Sequence, residues 1–305
     1  MLDFRTDLAD ERAEICKSAI KKGELDGIIT EENEVSEKIN VTTVKVINDN
    51  GSKLLGKDIG NYITVNIKDI EIITNDELKQ VIDIFSEELK KLITFDGPIL
   101  VVGLGNEDTT ADEIGPKVVK DLEITRHIFK YKPELLPENA RNVCAIAPGV
   151  LGTTGMETQE IISSITKKIK PSGIIVIDAL ASNNISRLLK TIQISNTGIT
   201  PGAGVGNKRK KINIKTMGVP VIAIGVPTIV EAATIVADTF DILTEKFEEF
   251  SFLKNSSYKE KYDLVKLVLE PSKYNLTVMP KEIDELANNM EEIISSGINR
   301  MIIPE

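Results

Sequence analysis

Two aspartates in this chain fall where chemistry could follow from position: Asp112, in a polar loop after a buried-looking apolar run, and Asp178, directly after another. Two carboxylates held over one crevice cannot both ionise easily, so one keeps its proton while the other is charged. Such a pair can activate a water and protonate a leaving amine without histidine, serine or cysteine. Each also has a plainer reading, Asp112 as a helix cap and Asp178 as a turn residue at a strand end. Around them Asn106, Thr153, Thr154 and Thr228 are candidate hydrogen-bond donors at the crevice, although glycine-flanked threonines also serve as turn or cap residues. Lys208 and Arg209 open a basic run, Lys208 to Lys211, in an acidic chain; it is either a solvated loop or a contact for carboxylates.

The elements that must position these residues begin with Pro98 to Pro116. Ile99 to Val102 is an apolar run ending in Gly103 and Gly105, which predicts a strand buried on both faces and a tight turn. After the polar loop Asn106 to Asp112, the spacing of Ile114, Val118, Val119 and Leu122 predicts a helix. Asn142 to Ala147 is a second strand, stopping at Pro148-Gly149 before a loop rich in glycine and hydroxyls, and Glu157 to Lys168 is helical. Gly173 to Ile177 is a third buried strand that delivers Asp178 at its carboxyl end. Thr191 to Ser195 alternates as a solvent-side or edge strand would. Val219 to Ile224 is a further strand whose proline suits an edge or a strand start, and Gly225-Val-Pro-Thr228 is expected to open a helix running through Phe240.

Strands alternating with helices from residue 98 to about 249 imply an α/β fold, a three-layer, mainly parallel doubly wound sheet. In such sheets the loops beyond the strands' carboxyl ends carry the chemistry. The N-terminal region adds β structure: Val41 to Ile47 and Tyr62 to Ile67 read as a hairpin or meander, with Asn48-Asp-Asn-Gly51 as turn chemistry. Asp10 to Lys22 can form a helix, Glu31 to Lys38 reads as a solvated acidic segment, and Asn75 is the expected N-cap of a helix to Ile93. Helical periodicity over Tyr258 to Leu269 and Pro280 to Ser296 makes the C-terminal part a helical, polar decoration.

Composition narrows the function classes. The chain has 305 residues, 41% of them hydrophobic, enough for one large α/β domain. A net charge of −10 argues against a general grip on nucleic acid. No stretch is long and apolar enough to cross a bilayer and no signal-peptide core is present, so an intracellular, cytoplasmic protein is expected. Cys16 and Cys144 have neither metal nor redox spacing. The single histidine, His127, cannot build a His-rich zinc site and reads as a packed or solvated helix-end residue. Gly103-Leu-Gly-Asn begins like a dinucleotide fingerprint, but position 108 is Asp where a glycine belongs, and Glu107, Asp108, Asp112 and Glu113 would repel a pyrophosphate.

Several blocks taken together resemble the germination protease family of spore-forming bacteria. They are Gly103-Leu-Gly-Asn with Asp112 and Gly115-Pro116; Ala145 to Gly155; Ile177-Asp-Ala-Leu-Ala181; Gly204-Val-Gly-Asn-Lys-Arg-Lys210; Ile222 to Thr228; and Met279 to Leu286. The resemblance implies an endopeptidase that degrades small acid-soluble spore proteins at germination, with a fold similar to that of hydrogenase maturation endopeptidases. It implies that Asp112 and Asp178 are the catalytic pair, and that the enzyme is a homotetramer of the spore cytoplasm; no cofactor is expected, and charge and hydropathy lead to the expectation of no direct nucleic-acid or membrane partner. It further implies a zymogen that cuts its own N-terminal segment. Arg5-Thr-Asp-Leu-Ala9 looks like the processing site, with cleavage at or beside Asp7-Leu8, which leaves 8–305 as a single peptidase domain. Departures from the family pattern are Glu107 for an aromatic, Ala111 for proline and Asn196 for aspartate. The alternatives are a nickel-dependent maturation peptidase of the same fold and a non-catalytic α/β binding protein.

Overall fold

The computed structural model describes residues 6–19, 25–202, 209–247, 256, 258–269 and 276–304. Among them, strands β1 (Ile28–Glu34), β2 (Ile39–Val46), β3 (Gly60–Ile67), β4 (Ile99–Gly103), β5 (Val143–Ile146), β6 (Gly173–Ser182), β7 (Thr191–Ser195), β8 (Val221–Glu231) and β9 (Thr277–Val278) form one sheet. Its order is β1-β2-β3-β7-β8-β6-β4-β5, with β9 added on β8. The block β8-β6-β4-β5 is parallel, and the N-terminal strands extend it antiparallel through β7.

Side-chain alternation along β4 decides which helices cover which face. Ile99 and Val101 pack with Ile175 and Ile177 under α3 (Asn75–Leu92), α4 (Ile114–Lys120) and α11 (Ile283–Ile302), where Phe85, Leu89, Met290 and Ile294 fill the core. Leu100 and Val102 face the other way with Ile174 and Val176, beneath α7 (Thr158–Ile169) and α8 (Ile214–Met217). The result is the three-layer α/β arrangement read from the sequence. Helix α1 (Ala9–Ala19) lays Ala9, Ala13 and Cys16 on Val44, Val46 and Tyr62. Helices α9 (Ala232–Lys246) and α10 (Tyr258–Leu269) pack on each other through Ala233, Ala237, Tyr262 and Val265. Shorter helices are α2 (Asp49–Leu55), α5 (Arg126–Tyr131), which carries His127 exposed, and α6 (Leu151–Thr154).

Several local expectations change. Asn48 does not make a hairpin turn: its side chain accepts the Gly51 amide and caps α2, so β2 and β3 pair across a helix. Thr74 rather than Asn75 caps α3, in a reciprocal box with Glu77. The first half of the acidic segment, Glu31 to Glu34, is the exposed end of edge strand β1, where charge discourages further pairing. The alternation of β7 is real, but β7 is an inner strand between β3 and β8 and not an edge, and its polar residues are buried, Gln193 beneath the N-terminal segment, whose Ala9 amide it accepts at 2.7 Å. No helix starts at Gly225. Strand β8 continues through Glu231, with the strand-start proline, Pro220, just ahead of it and Pro227 beside the register shift of β6 between Leu180 and Ala181. The last helix, α11, is long and deeply buried along one side.

The parallel block sets up the crevice. From β4 the chain crosses to β5 on one side, while β6 and β8 lie on the other, so the switch in direction falls between β4 and β6. The Leu104 amide donates to the Ile177 carbonyl at 2.8 Å, tying the end of β4 to the residue before Asp178. Helix α4 sits directly on this junction. A Cβ on Gly115 would come within 2.2 Å of the Leu104 carbonyl oxygen and 2.7 Å of that of Ile177, so only glycine permits the approach.

Candidate active site

A cavity of about 550 Å³ opens at this switch point, and both Asp112 and Asp178 line it. Asp112 ends a single 3-10 turn, Thr110–Asp112, after β4. Its Oδ2 accepts the backbone amide of Asn106 at 2.9 Å, closing the loop on itself. Gly105 makes that closure possible: its φ is +117°, and a Cβ there would lie 1.9 Å from the Asp112 carbonyl oxygen. The loop is pinned from the far side by Thr228 of β8, whose hydroxyl donates to the Ala111 carbonyl at 2.6 Å.

Asp178 lies on β6 where β4 has already ended, since Gly103 pairs with Ile177. The strand itself continues to Ser182, so Asp178 is a strand residue and not a strand-end turn. It is 5% exposed. Burial first, then the negative charges of Asp112 and Asp7, push its carboxyl well above the ordinary aspartate value, against the opposing pull of the Ala179 amide. Burial also raises the Asp112 carboxyl, opposed by the Asn106 amide. Each acid is thus biased toward its protonated form, Asp178 the more strongly.

The remaining sequence candidates divide. Arg209 lines the cavity from an exposed position. Thr228 lines it as well, but spends its hydrogen on Ala111. Asn106 contributes its backbone amide, while its side chain bonds Thr109 and the Asp108 amide. Thr153 and Thr154 donate to the Val150 carbonyl of their own turn, the plainer reading of both. Lys208 lies outside the described residues, as does Arg5. Glu107 pairs with Lys120 on the surface, and Asn196 accepts the Asn61 amide next to β3. Among the described residues no group of three or more His, Cys, Asp or Glu side chains is arranged to hold a metal ion, and no helix is long and apolar enough to cross a membrane.

Asp7 and Leu8 part company. Leu8 is fully buried, whereas Asp7 lines the cavity with the two acids, its amide donating to the Ala181 carbonyl at 2.8 Å and its Oδ2 accepting the Ala181 amide at 3.0 Å. Sequence reading took Asp7 only as part of a cut site and missed it as a third acid beside Asp178. It also missed Lys57 and Gln193, which hold the Asp7 carbonyl. Nothing in the local sequence around these two marks them, because only the fold brings them to residue 7.

Comparison with known proteins places the chain among proteases. A family model described as germination protease, Peptidase A25, matches residues 5–257. A germination protease of Clostridium perfringens is 45% identical over 314 residues, covering 100% of this chain and 96% of that protein. One from Caldanaerobacter subterraneus is 44% identical over 320 residues, covering 100% and 95%. One from Geobacillus is 39% identical over 349 residues, covering 98% and 93%.

Proposed function

Since this chain belongs to the germination protease family, we propose that it is an endopeptidase of small acid-soluble spore proteins in which Asp112 and Asp178 share the acid and base work. The observation that carries the reading is the single cavity lined by both carboxylates, one of them deeply buried. A water between them would lose its proton to the ionised acid as its oxygen attacks a peptide carbonyl. The protonated acid would then supply a proton to the departing amine. The stronger upward push on Asp178 favours it as the proton donor and Asp112 as the base, with the two titrating as one unit.

The same reading includes a zymogen that removes its own N-terminal segment at or beside Asp7-Leu8, leaving 8–305 as the working domain. Asp7 in the cavity of the two acids supports it. The working form is taken as a homotetramer in the spore cytoplasm, which sedimentation of the purified protein tests.

The deciding experiment incubates purified spore protein with the wild type and with Asp112→Asn and Asp178→Asn, and reads the fragments by mass spectrometry. The wild type should cut; both variants should fold, leave the substrate whole and keep their own N-terminus. Full digestion by either variant would end the proposal.

A further inference from the structure

Asp7 forms part of the wall between two cavities. Asp112 and Asp178 line the first. The second, about 100 Å³, is lined by Asp7 together with Lys57, Arg12, Tyr62 and Gln193. The carbonyl of the Asp7–Leu8 peptide is held by residues of this second cavity: Lys57 Nζ donates to it at 2.5 Å and Gln193 Nε2 at 3.3 Å. The rest of the segment is equally fixed. Asp7 bonds both backbone groups of Ala181, Leu8 is fully buried, and the Ala9 amide donates to Gln193 Oε1.

A peptide held this way has an acidic side chain caught by an amide, an apolar residue buried after it, and two donors on the carbonyl between them. Donors fixed in advance on a carbonyl oxygen are what lowers the barrier to water attack, because negative charge collects on that oxygen in the tetrahedral intermediate.

We propose that Lys57, with Gln193 as second donor, is the electrophilic catalytic residue for the Asp7–Leu8 bond. This rests on the aspartate pair and on this bond as the one the chain cuts in itself. As the water oxygen bonds the Asp7 carbonyl carbon, its proton passes to the ionised aspartate and the carbonyl π pair moves onto oxygen, where the ammonium and the amide hold it. Collapse of the intermediate breaks the C–N bond, and the Leu8 nitrogen takes a proton from the other aspartate.

Lys57 keeps some accessible surface, but its ammonium is surrounded by protein. The groups facing it are Arg12 and Asp10 of α1, Asp7 of the segment, Tyr62 of β3, Asp58 beside it in the chain, and Lys211 from the loop before α8, itself paired with Asp58. Burial, then Arg12, lower its pKa to about 7, with Asp7 opposing. The ammonium is therefore present below about pH 7 and lost above it, so self-cutting should slow as pH rises through that value.

The test follows the intact mass of the full chain over time, on both sides of pH 7, for the wild type, Lys57→Met, Lys57→Arg and Asp112→Asn, with thermal melting as a check of folding. Lys57→Met should cut the Asp7–Leu8 bond about 10²–10³-fold more slowly than the wild type. Lys57→Arg should cut faster than Lys57→Met, because a guanidinium stays charged on the carbonyl oxygen, while loss of the Asp178 proton still slows both at alkaline pH. Should Lys57→Met not fold, Lys57→Gln takes its place in the comparison with Lys57→Arg. Wild-type speed in Lys57→Met, a Lys57→Arg no faster than Lys57→Met, or a wild-type product that retains Asp7 after cutting elsewhere overturns the role of Lys57. Cutting by Asp112→Asn overturns the aspartate pair and this proposal with it, whereas an inert Asp112→Asn beside a fast Lys57→Met removes the lysine alone.

Discussion

The hydroxyl of Thr228 donates to the carbonyl oxygen of Ala111 at 2.6 Å, so strand β8 holds the turn that carries Asp112. The bond joins residues 117 positions apart and makes the placement of one acid depend on a strand that contributes neither acid. Thr228→Val keeps the shape of the side chain and removes the donor. We expect proteolysis to fall about 10-fold or more through misplacement of Asp112, and stability to fall by about 1 kcal/mol. Thr228→Ser should restore most of both; digestion rates and urea unfolding of the three proteins are the measurements.

Gly105→Ala should be more severe. The substitution forces a side chain onto a φ of +117° and sets its Cβ 1.9 Å from the Asp112 carbonyl oxygen, so the loop must move. A fall in activity of about 10²-fold is expected from displacing the carboxylate, with a stability cost of about 1–3 kcal/mol from strain. Fragment yields and a denaturation curve check the two separately.

Asp178 makes a prediction about stability with a definite sign. Its folded-state pKa is raised above the unfolded value, so between the two the native state binds more protons and stability falls as pH increases. Asp178→Asn removes that penalty. The variant should therefore melt higher than the wild type near neutral pH and lose the advantage below the unfolded-state pKa, while being inactive throughout. Melting curves at acidic and neutral pH are sufficient; an advantage that grew on acidification would contradict the burial argument.

Glu11 anchors α1 to the far end of the strand that carries Asp178. Its carboxylate accepts the Ser182 hydroxyl at 2.6 Å and the Asn183 amide at 2.9 Å, and burial raises its pKa despite both bonds. Glu11→Ala strands these donors in a buried place, which should cost about 1–3 kcal/mol. Amide exchange at Asp7 and Ala181 should rise with it, because the same segment then loosens from β6. Unchanged exchange there would show that Asp7 is held independently of α1.

What could be read along the chain was whatever periodicity and local chemistry fix. The apolar runs at residues 99–102 and 174–177 could only be strands covered on both faces, and the stretch between them had to return as a helix-bearing crossover, so the parallel block and the loop bearing Asp112 were legible. The same logic fails where a local signal has two uses. Asn48 and Gly51 suit a turn and a helix cap alike, and the packing of α2 beside Gly27 chose the cap. The alternation of Thr191 to Ser195 specifies one polar face, but not that β7 lies between β3 and β8 or that Gln193 meets the Ala9 amide. Gly225-Val-Pro-Thr228 reads as the opening of a helix, yet the missing amide of Pro227 falls beside the register shift between β6 and β8, so the strand passes through.

The amino-acid order by itself determined the α/β architecture and the crevice end of the sheet, because each follows from hydrophobic spacing within a short window; that spacing left Asp112 and Asp178 equally open to plainer readings as a cap and a turn. Only the tertiary structure decided that Asp178 is a buried strand residue, that Thr228 steadies the Asp112 turn, and that Asp7 meets Lys57, Gln193 and Ala181. Those contacts join residues 50 to 186 positions apart, and no local pattern encodes a pairing that exists only once the sheet has closed around it.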